Sequence, residues 1–220
     1  MKRPKHVTGA IIFDLDGTLA DTLADIAAAA NHALGQLGHA PIQTPRYRYL
    51  AGQGLRWLME HALGPDHQHQ VDEGMRIFRV YYADHDRDHT RPYEGIDDLL
   101  TALTAAGRDL ALGVLSNKPD PATQQLVSDL FGSTFDHVAG AREGVPLKPD
   151  PTSALAMCQA MGVTPDEVLY VGDTSVDMET AVAAGFFPVG VLWGFRDETE
   201  LRESGARAII ARPGELLGLL

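Results

Sequence analysis

Short apolar runs along the chain alternate with stretches in which apolar residues recur every three or four positions. The runs GAIIF (9–13), LALGVL (110–115), FDHVAG (135–140), VLYVG (168–172), PVGVLW (188–193) and ARAII (206–210) have strand length and aliphatic, often β-branched, composition. Between the later runs, Ile96–Ala106, Ala122–Leu130, Thr152–Met161 and Val176–Ala184 carry helical periodicity. Strands that are apolar on both faces and alternate with helices predict an α/β fold. In it a parallel sheet is covered by helices on both sides.

The first run breaks this rhythm. Between Leu19 and Arg91 no convincing strand is present. Asp21 opens an acidic helix start that runs through AAAANHAL to Gly38, and the four alanines suit a tight helix–helix face. Thr44-Pro45 starts a second short helix, LRWLMEHAL (55–63) a third, and VDEGMRIFRVYYADHD (71–86) a fourth despite Gly74. A helical insertion of this length predicts a small cap over residues 20–91, set on a core formed by 1–19 and 92–220. The segments near Leu19–Asp21 and Thr90–Pro92 are then the hinges.

At 220 residues with 45% hydrophobic content, the chain can bury a sizeable core. Its net charge of -12 disfavours nucleic acid and anionic membranes as partners. A small anionic substrate stays compatible, provided local donors and a metal ion offset that field. The lone Cys158 rules out an internal disulfide framework and fits a reducing cytoplasm. The opening MKRPKHVTGAIIFD has too short an apolar run for a signal peptide, and no stretch reaches membrane-spanning length.

Candidate chemistry falls at the carboxyl ends of strands, where open parallel sheets bind their ligands. Asp14-Leu15-Asp16-Gly17-Thr18 follows the first strand, and its two carboxylates can converge on one phosphoryl group. Ser116-Asn117-Lys118 follows the second, offering a hydroxyl and backbone donors to phosphate oxygens. Gly172-Asp173-Thr174-Ser175-Val176-Asp177 follows the fourth, with two carboxylates about one helical turn apart. Lys148, ahead of Pro149-Asp150-Pro151, brings a cation. Each signal alone is ordinary; a turn, a strand end or a loop explains it. For one phosphate to touch all of them, the first strand must lie between the second and fourth.

These four segments resemble the motifs of the haloacid-dehalogenase superfamily of phosphatases, and the resemblance covers nearly the whole chain. It implies a Rossmann-like parallel sheet of order 5-4-1-2-3 with an inserted helical cap. Arg91-Pro92-Tyr93-Glu94-Gly95, Ser116-Asn117-Lys118-Pro119 and VGVLWGFRDETEL (189–201) are similar to the phosphoglycolate phosphatase branch. Asp16 separates the chain from the dehalogenases, which lack the second acid, and Thr18 separates it from mutases that carry Val there.

The resemblance implies a nucleophile at Asp14 and a general acid–base at Asp16. It implies Mg2+ held by Asp14, the Asp16 carbonyl and Asp173, with Asp177 supporting through water or Lys148. Phosphate contacts would come from Thr18, Ser116, Asn117 and Lys148. Arg56 is the candidate for reading a substrate carboxylate, with a pairing to Glu60 as the plain alternative. The substrate is then a small phosphate monoester, phosphoglycolate first, with sugar phosphates, nucleotides and pyrophosphate also suited to the scaffold. A phosphomutase and a non-catalytic regulatory module are the competing classes. Two tempting features carry less: Gly52-Gln53-Gly54 lacks the rest of a dinucleotide loop, and His85-Asp86-Arg87-Asp88-His89 reads as an exposed helix end.

Overall fold

The computed structural model describes residues 9–105 and 110–220. Its main sheet has six parallel strands: β1 (Ala10–Phe13), β4 (Ala111–Pro119), β5 (His137–Ala141), β6 (Val168–Gly172), β7 (Phe187–Val191) and β8 (Ala208–Ile210). Two short strands, β2 (Ala20–Asp21) and β3 (Arg91–Pro92), form a separate antiparallel ribbon. The main sheet runs β5-β4-β1-β6-β7-β8. Numbered within the sheet alone, the expected order 5-4-1-2-3 is present, and β8 adds a sixth strand at one edge. The ARAII run supplies it: three residues pairing with β7.

Alternation within β1 shows why the sheet is apolar throughout. Ile11 and Phe13 face one cluster with helix α4 (Ile96–Thr104), helix α5 (Asp120–Phe131) and the closing 3-10 turns at Leu216 and Leu219. Ala10 and Ile12 face another with α6 (Thr152–Ala160) and α7 (Ser175–Ala184). A period of two thus places successive β1 residues in opposite cores, so neither face tolerates a polar residue.

The interval between β2 and β3 holds α1 (Leu23–Gln36), α2 (Leu55–Leu63) and α3 (Val71–His85), joined by 3-10 segments at Thr44–Tyr49 and Pro65–Gln70. These helices bury their own cluster, including Ala27, Ala30, Leu34, Met59, Phe78 and Tyr82, apart from the two sheet clusters. Gly74, costly to a lone helix, sits where α3 meets α2: a Cβ there would lie 2.7 Å from Met59 Cε. A shorter α8 (Glu198–Glu203) follows β7, its N-cap Asp197 accepting from the Glu200 amide at 3.0 Å.

Two details depart from the sequence pattern. Ser116, Asn117 and Lys118 lie inside β4, which runs to Pro119, with a register shift between Leu115 and Pro119 against β5. Such an irregularity re-aims side chains at a sheet's end.

Candidate active site

Register brings the site together. Phe13 of β1 pairs with Val114 of β4 and Val171 of β6. The residues just beyond, Asp14, Ser116 and Asp173, therefore emerge at similar height from three neighbouring strands. Asp14 keeps one ladder bond past the strand, its N–H donating to Val171 O at 2.9 Å. Gly17 turns the chain with φ of 94°, and a Cβ there would meet Asp173 Oδ2 at 2.3 Å. Gly194, from the loop after β7, is as tightly placed: a Cβ would lie 2.3 Å from Asp173 Cβ.

Asp14, Asp173 and Asp177 are buried, and one carboxylate oxygen from each lies within 4.8 Å of the other two. Lys148 is the counter-charge. Its ammonium lies 2.7 Å from Asp14 Oδ1, 2.7 Å from Asp177 Oδ1 and 3.0 Å from Leu115 O. Burial pulls the Lys148 pKa down, but Asp14 and Asp177 outweigh it and hold the ammonium well above the usual lysine range. Burial pushes Asp14 up; Lys148 opposes this, while Asp177 and Asp173 add to it. Asp173 is pushed up to about 7, by burial and then by Asp177, against the Phe195 N–H and Thr18 hydroxyl that it accepts. One cation for three buried carboxylates leaves excess negative charge, which a divalent ion with oxygen ligands would offset. The residues present fit such an ion.

Other side chains hold these in place. Thr18 Oγ1 donates to Asp173 Oδ1 at 2.9 Å and Phe195 N to Asp173 Oδ2 at 2.7 Å. Thr18 is therefore a clamp on Asp173, and its hydroxyl is not directed at an incoming phosphate. Thr174 Oγ1 and N donate to Asp177 Oδ2 at 2.8 and 3.1 Å, a capping box at the start of α7. Asn117 lines the cavity, yet its amide is engaged: Nδ2 donates to Lys148 O at 3.0 Å and Gly52 O at 3.1 Å, and Oδ1 accepts from Lys148 N at 2.9 Å. It fixes the Lys148 loop. Ser116 Oγ accepts from Lys118 N at 3.2 Å and lines the cavity beside Asp14.

The cavity above Asp14 and Asp16 has a volume of about 430 Å³. Its walls are mostly apolar, from Ile26, Leu55, Leu58 and Phe78 of the helical insertion and Pro119 and Ala122 of the core. Gly52, Gly54 and Leu55 reach it, as the segment at the start of α2 should. Arg56 does not. Its guanidinium points outward, 2.5 Å from Asp72 Oδ1 and 3.8 Å from Glu60 Oε1, with 56% of the side chain exposed. An exposed partner on α3 wins over the cavity because the charge keeps its hydration there.

Sequence reasoning missed the side chain of Lys118. Its ammonium donates to Asp16 Oδ1 at 3.0 Å, Asp16 Oδ2 at 3.2 Å and Tyr82 Oη at 2.8 Å. Burial lowers its pKa, but Asp16 and then Tyr82 more than compensate and hold it charged. The signal was its place two residues after Ser116, at the same strand end. His85 pairs with Asp88 at 2.8 Å and His89 with Asp25 at 2.9 Å.

The fold and this strand-end acid cluster have known counterparts. Residues 11–191 match the family model of the haloacid dehalogenase-like hydrolases. The phosphoglycolate phosphatase of Chromobacterium violaceum is 32% identical, covering 98% of this chain and 97% of its own. The N-acetylmuramic acid 6-phosphate phosphatase of Pseudomonas aeruginosa is also 32% identical, covering 96% of this chain and 94% of its own. A solved structure from Lactobacillus delbrueckii subsp. bulgaricus, 32% identical, superposes with a TM-score of 0.92 over 98% of this chain and 99% of that one. The chain belongs to the haloacid dehalogenase-like hydrolases. It is an enzyme, and its relatives named here are phosphatases.

Proposed function

We propose that this hydrolase cleaves small phosphate monoesters through an aspartyl-phosphate at Asp14. The carrying observation is the convergence of Asp14, Ser116, Lys148 and Asp173 at the ends of three adjacent strands. In this reading an Asp14 carboxylate oxygen attacks phosphorus, and the bond from phosphorus to the ester oxygen breaks. Asp16 gives its proton to the departing alkoxide. It then takes a proton from the water that attacks the Asp14-bound phosphoryl group, releasing phosphate and restoring Asp14. Lys148 holds Asp14 in place and balances charge, while Ser116 and the loop amides donate to the phosphoryl oxygens.

The metal suited to the site is Mg2+, which Asp14, Asp173 and the Asp16 carbonyl would hold, with Asp177 supporting through Lys148. When bound, it supplies positive charge that lets a phosphate dianion approach buried carboxylates. Residues 20–91 serve as a cap that admits the ester and then excludes water, and residues 1–19 and 92–220 form the core. The β2–β3 ribbon, with Ala20 opposite Pro92 and Asp21 opposite Arg91, is its hinge.

Names of the relatives nominate phosphoglycolate as the first substrate to test. Phosphate release from phosphoglycolate, sugar phosphates, nucleotides and pyrophosphate, compared by kcat/KM, should show a preferred monoester. Exhaustive chelation should abolish turnover and Mg2+ restore it. Full activity in metal-free buffer would refute the metal site, and no release from any ester would refute the phosphatase reading.

A further inference from the structure

We propose that Lys118 is the positioning residue of Asp16, and that Tyr82 makes that position depend on where the cap stands. The proposal rests on the phosphatase reading above, in which Asp16 serves the leaving oxygen.

Lys118 touches both carboxylate oxygens of Asp16, and among the described residues no other group donates a hydrogen bond to them. An aspartate at a cavity mouth has several staggered positions open to it, and a cation bridging both oxygens selects one. Lys118 is itself anchored to the core. Its N–H donates to Ser116 Oγ at 3.2 Å, and its carbonyl accepts from Thr123 Oγ1 at 3.1 Å. The far end of the ammonium is fixed from the insertion: Tyr82 Oη accepts at 2.8 Å, and the Tyr82 ring stacks on Phe78 at 5.2 Å.

Tyr82 stands near the end of α3, which leads within a few residues to the hinge strand Arg91–Pro92. Rotation at that hinge moves the tyrosine relative to a lysine that stays with the sheet. Loss of the Tyr82 contact leaves the ammonium one fixed partner fewer, and Asp16 loses its defined orientation. The acid is thus aligned when the cap lies over the cavity, which is also when water is excluded.

Leaving-group dependence separates positioning from a merely structural role. An alkoxide needs a proton to depart, whereas p-nitrophenolate leaves as a stable anion, so only the first depends strongly on Asp16. The experiment compares kcat/KM for p-nitrophenyl phosphate with that for phosphoglycolate, or for the best alkyl phosphate of the panel. Lys118→Met should lower the alkyl value by ~100-fold and the aryl value by less than ~5-fold, within the range of general acid catalysis. Tyr82→Phe should show the same split at ~5–10-fold on the alkyl ester, and Lys118→Arg should recover part of the alkyl rate. Equal losses on both esters, or none on the alkyl ester, overturn the proposal. If Lys118→Met does not fold by circular dichroism, Tyr82→Phe decides by the same criterion. A wild-type protein inert toward every ester removes the phosphatase reading and this proposal with it, an outcome distinct from an active enzyme without the split.

Discussion

Replacing Lys148 by methionine tests the electrostatic account of the site most directly. The ammonium is almost fully buried and lies 2.7 Å from both Asp14 and Asp177. Methionine keeps much of the volume but leaves three buried carboxylates without their cation. Removing one partner of a buried pair costs ~3–5 kcal/mol. For a chain of this size each kcal/mol moves Tm by ~2–4 °C, so a drop of about 10 °C is expected at pH 8 in chelator. The deficit has a pH sign. Asp14 is already raised above its unfolded value of 3.8, and losing Lys148 raises it further. A raised acid favours the fold while protonated and costs stability as pH climbs above the unfolded value, so the deficit should shrink at pH 5.5. Mg2+ at 100 times its Kd contributes about 2.7 kcal/mol, and more where the cluster carries extra negative charge. Magnesium should therefore raise Tm more in Lys148→Met than in wild type, while turnover stays at least ~1000-fold down. Thermal melts by circular dichroism, with chelator or Mg2+ at the two pH values, measure all of this. A variant that melts with wild type at pH 8 in chelator, or gains no more from Mg2+, refutes the reasoning.

Asp14→Asn should lower turnover by at least ~1000-fold with the fold intact, since an amide cannot serve as nucleophile. Acid-quenched wild type should retain phosphoryl label from substrate and the variant none; more than a few per cent of residual activity would refute covalency. Asp25→Asn probes the root of the insertion, where the buried carboxylate accepts from Thr90 Oγ1 at 2.7 Å, Thr90 N at 2.8 Å and His89 N at 3.0 Å. Burial would raise the Asp25 pKa, but these bonds hold it below 3.8, so its contribution is present above that value and lost as pH falls through the folded one. Denaturant melts should show the variant less stable by ~1–3 kcal/mol at pH 7, with the gap closing below about pH 4. A gap that stays constant with pH would count against it.

What the sequence made legible depended on locality. Asp14 and Asp16 declared themselves because strand, turn and acid lie within eight residues, and register does the rest. The alanines at 27–30 marked a packed face, and Ala27, Ala29 and Ala30 are indeed buried. Lys118 was opaque because its partners Asp16 and Tyr82 lie 102 and 36 positions away. Nothing in a residue's own neighbourhood reports which distant helix will cover it. Arg56 failed as a cavity residue for the converse reason: periodicity told that α2 is amphipathic but not which charged flank meets α3. The polar clamps Thr18 and Asn117 were legible as site residues, though not in orientation, because a hydroxyl or amide satisfies either a substrate or a neighbour.

How the helical insertion meets the sheet bears on whether it can move as a cap. Its apolar cluster is separate from both sheet clusters, so the two parts do not share one core. Several of the contacts that cross between them are polar. Tyr82 meets Lys118, Gly52 O accepts from Asn117, Arg48 donates to Gly194 O, and Arg196 donates to Arg48 O and Ala51 O. A polar contact that water can replace costs less to break than packed apolar faces, whose separation would forfeit ~25 cal/mol for every Å² wetted. Three of these contacts end on residues that shape the site: Lys118 holds Asp16, Asn117 holds the Lys148 loop, and Gly194 presses on Asp173. In the proposed cap reading, closure would restore Tyr82 on Lys118, Gly52 on Asn117 and Arg48 on Gly194 together.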